Sequence, residues 1–450
     1  MRIPLESRHS DAHIGHSKNG FPLSQGQAPL DLYLHSKVDS RVATVHSTRI
    51  MMVQLILKHL VIINLAISTV VFAEAYHSPS ANSSQPSQKA PRPIAESSFS
   101  SFGVQFNCSK DQIQKLEKEF NQLFSSYGWL GDPSLASLKT STEGTQLNIH
   151  LNTPLTDTDT LTLHNRAEFK INPDIDRFVD RSGKKHDYKI ADEKEIVASM
   201  LQRGRLFEFE KSFCSFEKFL EHIKIRQNII RWGIRALWKF PEDGSKTNTK
   251  LWASDWKLQP GVKSSEAIED AFIGKLDYEM GCTKACQLIL AQGILDYYKH
   301  VKKDLKMAEH LDEITSPTPL DTMEMWVNGQ SKKDMVKEGT LVDRHFKVPA
   351  DHWVPGDWGW IKNPDDESAA ENGLEGANIV YIGRGLFVVY YENDHDRTLD
   401  EGLVRVYRWR RDFKEQPITA DLIQSLRKDP REGGLLRDVR DFPKNLVSDK

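Results

Sequence analysis

The feature that most limits the fold is a predicted helix that begins at Cys282 and is followed by antiparallel β segments. After Gly281-Cys282-Thr283 the apolar residues recur at helical spacing, as Leu288, Ala291, Ile294, Leu295 and Tyr298. Residues 354–365 and 375–391 then predict three β segments, and Gly383-Arg384-Gly385 joins the last two as a hairpin turn. The chain is therefore expected to be α+β, with the cysteine helix packed on an antiparallel sheet.

Upstream segments predict a smaller α+β domain and a long core helix. Ser109 is a suitable N-cap for a helix over residues 109–125, whose apolar residues fall at helical spacing. Residues 145–171 alternate apolar and polar side chains around a turn, which predicts two or three antiparallel strands. The pattern of residues 215–238 predicts a core helix of more than five turns.

Two groups of residues contain metal-ligating side chains but lack the spacing of a metal site. The carboxylates of residues 172–180, at Asp174, Asp176 and Asp180, lack the glycine and the final glutamate of a calcium loop, so a solvated turn is expected. Cys282 and Cys286 are one helical turn apart and lack the four-ligand pattern of a zinc site. We therefore predict no metal.

The N-terminal region predicts export. From Met51 the chain has a short basic region and an apolar run of about 13 residues, too short for the roughly 20 that span a bilayer comfortably. The run ends at Ala73-Glu74-Ala75, a small-x-small cleavage pattern, so we predict a signal peptide cleaved after Ala75 and a secreted or periplasmic protein with no stable membrane span after cleavage. In an oxidising compartment a Cys108–Cys214 disulfide is plausible, because it leaves the helical cysteines free.

The composition argues against a nucleic-acid-binding protein. The 450 residues carry a net charge of −3, and 39% of them are hydrophobic. Residues 403–411 interleave four arginines with Tyr407 and Trp409, but in this nearly neutral chain a final strand with a solvated face is the preferred interpretation.

Cys282 is the candidate nucleophile. At a helix N-terminus a thiol meets unsatisfied backbone N–H groups and the positive end of the helix dipole, which favour the thiolate. The same N–H groups can bind the oxyanion that forms when a thiolate attacks an amide. Taken alone, the pattern also fits a buried structural cysteine.

The region from about residue 213 to 391 resembles the small bacterial protein-glutamine γ-glutamyltransferases of Bacillus spores, which share a papain-like fold with NlpC/P60 hydrolases. The segments that carry the resemblance are FEKFLEHIKIRQNIIRWGIRAL, LWASDWKLQPGVKSSEAIEDAF, CTKACQLILAQGILDYYK, PGDWGWIKNPD and GANIVYIGRGLF. The resemblance implies that Cys282 attacks the side chain of a protein glutamine and forms a thioester, which a lysine amine or water resolves. It implies protein substrates and no cofactor.

Three positions depart from the family pattern. Ala377 and Gly281 stand where that family has glutamates, and Tyr390 stands where it has a histidine. Ala377 is also where NlpC/P60 enzymes carry their histidine.

Other side chains are therefore candidates for the missing base. Glu375 lies two residues before Ala377 on the same strand face, about 6.6 Å away, and is predicted as the general base. Tyr390 is predicted to orient a partner by hydrogen bonding. Glu279 is a further carboxylate, expected in the loop before the helix, and His352 and His395 have no matching role in the family.

These observations leave three functions open. The first is an exported cysteine acyltransferase acting on protein glutamine, the second a catalytically inactive papain-like binding module, and the third a cell-wall peptide amidase or peptidase of the NlpC/P60 type. The predicted organisation is a doubtful start (1–50), signal peptide (51–75), Ser/Pro-rich linker (76–100), small α+β domain (101–195), papain-like domain (196–415) and charged tail (416–450).

Overall fold

A computed structural model describes residues 102–131, 134–241, 244–323, 341–345, 348–363, 365–388, 390–391, 396–410, 417–427 and 436–441. They all belong to one compact unit, Ala95–Lys450. The predicted doubtful start, the signal peptide, the whole of the linker and His395 lie outside the described residues. Within those ranges no helix is long and apolar enough to cross a membrane.

Helices and strands are interspersed along this unit. The helices are α1 (Lys110–Tyr127), α2 (Glu193–Leu201), α3 (Phe216–Arg235), α4 (Ser264–Ile273), α5 (Cys282–Asp296), α6 (Leu305–Thr315), α7 (Asp366–Ala369), α8 (Leu399–Tyr407) and α9 (Ala420–Arg427). The strands are β1 (Gly103–Asn107), β2 (Ala136–Thr140), β3 (Gln146–Leu151), β4 (Asp174–Val179), β5 (Lys185–Ile190), β6 (Leu206–Glu210), β7 (Asp343–His345), β8 (Trp358–Lys362), β9 (Gly376–Gly383), β10 (Leu386–Val388), β11 (Arg397–Thr398) and β12 (Leu436–Asp441).

The first sheet has the strand order β2-β3-β1-β6, in which β1 runs parallel to β6 and antiparallel to β3. The predicted helix α1 is confirmed and begins with a capping box between Ser109 and Gln112. The Cys108–Cys214 disulfide is also present, and it ties the end of β1 to the residues just before α3. Cys282 and Cys286 are left as free thiols.

The prediction of strands over residues 159–171 is wrong. This segment forms two 3₁₀ turns, Leu163–Asn165 and Ala167–Phe169. The Asp159 carboxylate accepts hydrogen bonds from the Leu161 N–H at 2.8 Å and from the Thr162 hydroxyl at 2.6 Å. These local side-chain bonds favour a turn over a sheet ladder, although the apolar residues alternate as in a strand.

The prediction of a solvated turn at Asp174 and Asp176 is also wrong. Both residues lie on β4, which pairs antiparallel with β5. The carboxylate of Asp176 accepts two hydrogen bonds from the guanidinium of Arg235, at 2.8 and 2.9 Å, and Asp174 accepts one from Arg231 at 3.0 Å. The acidic residues therefore bind the β4–β5 hairpin to α3.

The second sheet carries the three predicted β segments as β8, β9 and β10, in the order β11-β10-β9-β8-β12-β7. Helix α5 packs against α3 and β9. Gly293 allows the close approach of α5 to α3, because a Cβ there would lie 2.4 Å from Cγ1 of Ile229. The predicted α+β fold, with the cysteine helix on an antiparallel sheet, is confirmed.

The predicted final strand over residues 403–411 is described as far as residue 410, and this part does not form a strand. Leu399, Leu403 and Val406 are buried at helical spacing on α8. A capping box between Thr398 and Glu401 starts this helix. Between these buried positions Glu401 and Arg405 are exposed, whereas the aromatic residues Tyr407 and Trp409 are partly buried.

A buried charge cluster holds the loop that precedes β8. Arg226 and Arg205 both bind the carboxylate of Asp357, with 2.8 Å between Arg226 Nη1 and Asp357 Oδ1. Burial alone would raise the pKa of Asp357, but the two guanidinium groups hold it below its usual value. Because Trp358 follows Asp357 directly, this cluster also fixes the start of β8.

Stability should decrease with rising pH because of Glu195 on α2. Burial raises the pKa of this carboxyl from 4.5 to about 7, although it accepts a hydrogen bond from the Arg384 N–H at the β9–β10 turn. Its stabilising contribution is therefore complete below pH 4.5 and is lost as the pH rises through about 7.

The Glu195→Gln variant should escape this loss. Between pH 5 and pH 8 the free energy of unfolding of the wild type should fall by about 2–3 kcal/mol relative to the variant. Urea denaturation of both proteins across this range measures the difference, and parallel pH profiles would contradict the assignment.

Candidate active site

Cys282 is the first residue of α5, with Gly281 as N-cap, as the sequence predicts. Its side chain is half-buried and faces a cleft, whereas Cys286, one turn further along, is fully buried. Of the two free thiols, Cys282 is the one that a substrate can reach.

The side-chain amide of Asn378 on β9 contacts the thiol. Its Nδ2 lies 3.1 Å from Cys282 Sγ and 3.1 Å from Thr283 Oγ1. The indole Nε1 of Trp358 donates a 2.8 Å hydrogen bond to Asn378 Oδ1. This bond turns the amide so that its N–H groups point at the sulfur, where they can stabilise a thiolate.

The alternation of β9 explains why Asn378 occupies this place. Val380 and Ile382 belong to the main core with α5, and Asn378 lies on that same face of the strand. Ile379 and Tyr381 belong to a second apolar cluster, against which Ala377 packs. Ala377 therefore lies on the opposite face of β9 from Asn378, although it borders the same cleft.

The cleft has a volume of about 670 Å³ and is lined by aromatic, apolar and basic side chains. Phe240 and Tyr391 form one side, with their ring centroids 5.6 Å apart. The other described lining residues are Trp238, Lys239, Glu279, Cys282, Ile361, Gly373, Gly376, Ala377, Asn378, Ile379, Phe387, Val388, Tyr390, Arg397, Thr398, Leu399, Gly402, Arg405 and Trp409.

Glu375 and Tyr390, predicted from the sequence, occupy different environments. Glu375 is exposed, accepts a 3.0 Å hydrogen bond from the Gly373 N–H, and is not among the described residues that line the cleft. Tyr390 lines the cleft, and its hydroxyl donates to the Asn378 carbonyl. Burial raises the pKa of Tyr390 well above its usual value, so it stays protonated and can donate a hydrogen bond.

Glu279 is the carboxylate that shares the cleft with Cys282. It is half-buried in the loop before α5, with its Oε1 3.6 Å from Nζ of Lys246. Backbone hydrogen bonds of 2.9 and 3.0 Å between residues 246 and 279 hold this loop in place. Among the described lining residues there is no histidine.

Sequence similarity places this site in a known family. Residues 176–393 match the family model for protein-glutamine gamma-glutamyltransferase. These residues, just under half of the chain, are similar to that transglutaminase family. The resemblance stated from the sequence is thereby confirmed.

A transglutaminase from Geobacillus stearothermophilus, solved without its C-terminal extension, aligns at 19% identity and a TM-score of 0.35. The alignment covers 51% of this chain and 95% of that protein. No curated protein gives a significant match.

Sequence reasoning missed Asn378 and the contribution of residues after 393 to the transglutaminase cleft. For Asn378 the sequence did contain a signal, namely the alternation of side chains along β9. If the strand is shifted by one residue, Asn378 rather than Ala377 faces the cysteine. In the described part of the chain no cluster of three His, Cys, Asp or Glu residues could hold a metal ion.

Proposed function

We propose that the chain is an exported protein-glutamine γ-glutamyltransferase with Cys282 as its nucleophile. The observation that carries this proposal is the half-buried thiol at the N-terminus of α5, in a cleft and within 3.1 Å of the Asn378 amide. The family match of residues 176–393 supports the reaction class, and the signal peptide predicted from the sequence supports export.

The proposed reaction consists of two acyl transfers. The thiolate of Cys282 attacks the carboxamide carbon of a glutamine side chain, a C–S bond forms, and the C–N bond breaks as ammonia leaves with an added proton. A lysine amine or water then attacks the thioester, the C–S bond breaks, and the released thiolate takes up a proton. The products are an isopeptide bond or a glutamate side chain.

The surrounding groups support the charges of this reaction. Asn378 donates to the sulfur, and Tyr390 donates to the backbone carbonyl of Asn378 and so holds its position. The first N–H groups of a helix have no intrahelical acceptor, so those of α5 can donate to the oxyanion of the tetrahedral intermediate.

Glu279 is the proposed proton acceptor, because its carboxylate borders the cleft and is placed by the loop that leads into α5. Glu375 would first have to break its hydrogen bond with the Gly373 N–H and then turn into the cleft. The roles are thus assigned as nucleophile for Cys282, base for Glu279 and positioning for Asn378 and Tyr390.

A second candidate is the inactive binding module. Ala377 stands at the position of the family's glutamate. In the described part of the chain, Cys282 Sγ contacts the Asn378 amide and the Gly376 carbonyl rather than a carboxylate or imidazole. A cleft of this composition could then hold a glutamine-containing polypeptide without turning it over.

One experiment on protein secreted by its host tests export and activity together. We expect N-terminal sequencing to begin at Tyr76, a thiol-reactive probe to label Cys282 at neutral pH, and a fluorescent primary amine to be incorporated into a glutamine-rich protein. Peptides from residues 1–50 in the mature protein would refute the predicted start. An unlabelled Cys282 with no amine incorporation would instead support the binding module.

A further inference from the structure

Part of the cleft wall comes from chain that follows the family domain. The match ends at residue 393, yet Arg397, Leu399, Gly402, Arg405 and Trp409 line the cleft of Cys282. We call residues 397–409 the C-terminal wall. A wall contributed from outside the region shared with the family is a natural place for this chain's own substrate preference.

The C-terminal wall is built into the fold. Leu399 and Leu403 are buried in the second apolar cluster with Ile379 and Tyr381 of β9. Asp400 of α8 also accepts two hydrogen bonds from Arg427 on α9, at 2.6 and 2.9 Å. The side chains that the wall presents to the cleft are therefore held by packing on the sheet.

The charge of the cleft differs in sign from that of the whole chain. Arg397 and Arg405 from the C-terminal wall, together with Lys239, are the cations among the described lining residues, and Glu279 is the one carboxylate. Lys239 also pairs with Asp277 at 3.1 Å, so the two arginines of the wall contribute most of the positive charge. Glu279 is itself within 3.6 Å of a fourth cation, Lys246. The chain as a whole carries a net charge of −3, so positive charge is concentrated at the candidate active site.

Aromatic side chains accompany these cations. The guanidinium of Arg405 lies 5.7 Å from the ring centroid of Trp409 on the C-terminal wall. Phe240 on the other side is 43% exposed, a large fraction for a ring that borders a cleft. Aromatic and arginine side chains are the residues that most often anchor a bound polypeptide.

We propose that the C-terminal wall selects the glutamine donor, favouring polypeptides in which acidic side chains flank the reactive glutamine. The inference rests on the proposed function, because it assigns the donor of that reaction. Acidic side chains beside the reactive glutamine are attracted to Arg405, Arg397 and Lys239, while basic side chains at the same positions are repelled. The charges are partly exposed, so the preference should weaken as salt screens them.

Three peptides test this inference on the full chain. They share one glutamine and differ in its neighbours, which are glutamate, alanine or lysine. At low salt, kcat/KM for amine incorporation should be roughly tenfold higher with glutamate than with lysine, since an exposed ion pair contributes about fivefold at most and the charge change turns attraction into repulsion. The difference should appear mainly in KM.

Arg405→Glu should remove or invert the preference. Arg408→Glu is the matched control, because Arg408 is exposed on the same segment, carries the same charge change and does not line the cleft. Equal effects of the two substitutions, or equal kcat/KM for the three peptides in the wild type, would overturn the inference.

Binding of the same peptides to the Cys282→Ala variant separates this inference from the proposed function. Fluorescence anisotropy should rank the affinities as glutamate, alanine and then lysine, and Arg405→Glu should abolish that order in the same background. If the order holds while no peptide is turned over by the wild type, the proposed function fails, whereas the preference of the cleft for acidic neighbours stands. If all three bind equally, the donor selection fails whatever the activity.

Discussion

Replacing Cys282 with alanine is expected to abolish amine incorporation into protein glutamine, a loss of at least about 10⁴-fold, because removal of a nucleophile leaves no covalent route. Cys282 is the thiol that borders the cleft, and the Asn378 amide points at its sulfur. Incorporation of a fluorescent amine into a glutamine peptide measures the effect.

Cys286→Ala is the matched control. Cys286 is fully buried one turn deeper in α5, and its Sγ lies 3.7 Å from the hydroxyl of Tyr390. This variant should keep most of the activity, with a modest loss of stability from the small cavity. Equal loss of activity from both substitutions would show that the nucleophile is wrongly assigned.

The second large effect is expected at Glu279. If its carboxylate accepts the proton during attack, Glu279→Gln should lower kcat by about 10²–10⁴-fold at neutral pH, the usual contribution of a positioned general base. Rates measured at saturating peptide concentration test this. The fold should be unaffected, because the backbone hydrogen bonds with residue 246 remain.

Glu375→Gln provides the comparison, since it removes a carboxylate that is exposed and bound to the Gly373 N–H. We expect kcat of this variant to fall by less than about threefold, as for a surface substitution away from an active site. The reverse result, with Glu375 essential and Glu279 dispensable, would restore the assignment made from the sequence alone.

Ala377→Glu tests the position that departs from the family. Ala377 borders the cleft, so a glutamate there can reach the cavity that holds Cys282. It should raise activity in an active enzyme. If Glu279→Gln is harmless and Ala377→Glu creates activity from none, the natural protein is the binding module.

The parts of the fold that the sequence predicted well are those with strong local patterns. Helices α1, α3 and α5 combine an apolar stripe with a start signal, and the β9–β10 hairpin has a glycine-rich turn between apolar runs. In these segments local propensity and burial agree, so the pattern alone is sufficient.

Two strand predictions failed for the same physical reason. In both segments a local hydrogen bond or helix cap favoured another structure than the one that the spacing of apolar residues indicated. Asp159 bonds its neighbours and turns the chain where alternation predicted a strand. At Leu399–Tyr407 the capping box of Thr398 and Glu401 starts a helix where a strand was expected. The prediction of a solvated turn at Asp174 and Asp176 failed for another reason, because their arginine partners are distant in sequence.

The site was predictable in its nucleophile position and much less in its partners. The cysteine at the start of α5 follows from the sequence, because helix start and apolar stripe coincide there. Asn378 depends on which face of β9 meets α5, and that is set by tertiary packing of Val380 and Ile382 into the main core. The C-terminal wall follows from the packing of α8 on the sheet, which no local pattern contains.

The most direct test of the central claim is a search for the thioester itself. The full chain is mixed with a glutamine peptide without an amine acceptor, quenched in acid and measured by intact-protein mass spectrometry. We predict a species heavier by the mass of the peptide less that of ammonia, located at Cys282 by proteolysis and missing from the Cys282→Ala variant. An adduct that persists in that variant, or no adduct while glutamine is still converted, would contradict a Cys282 thioester.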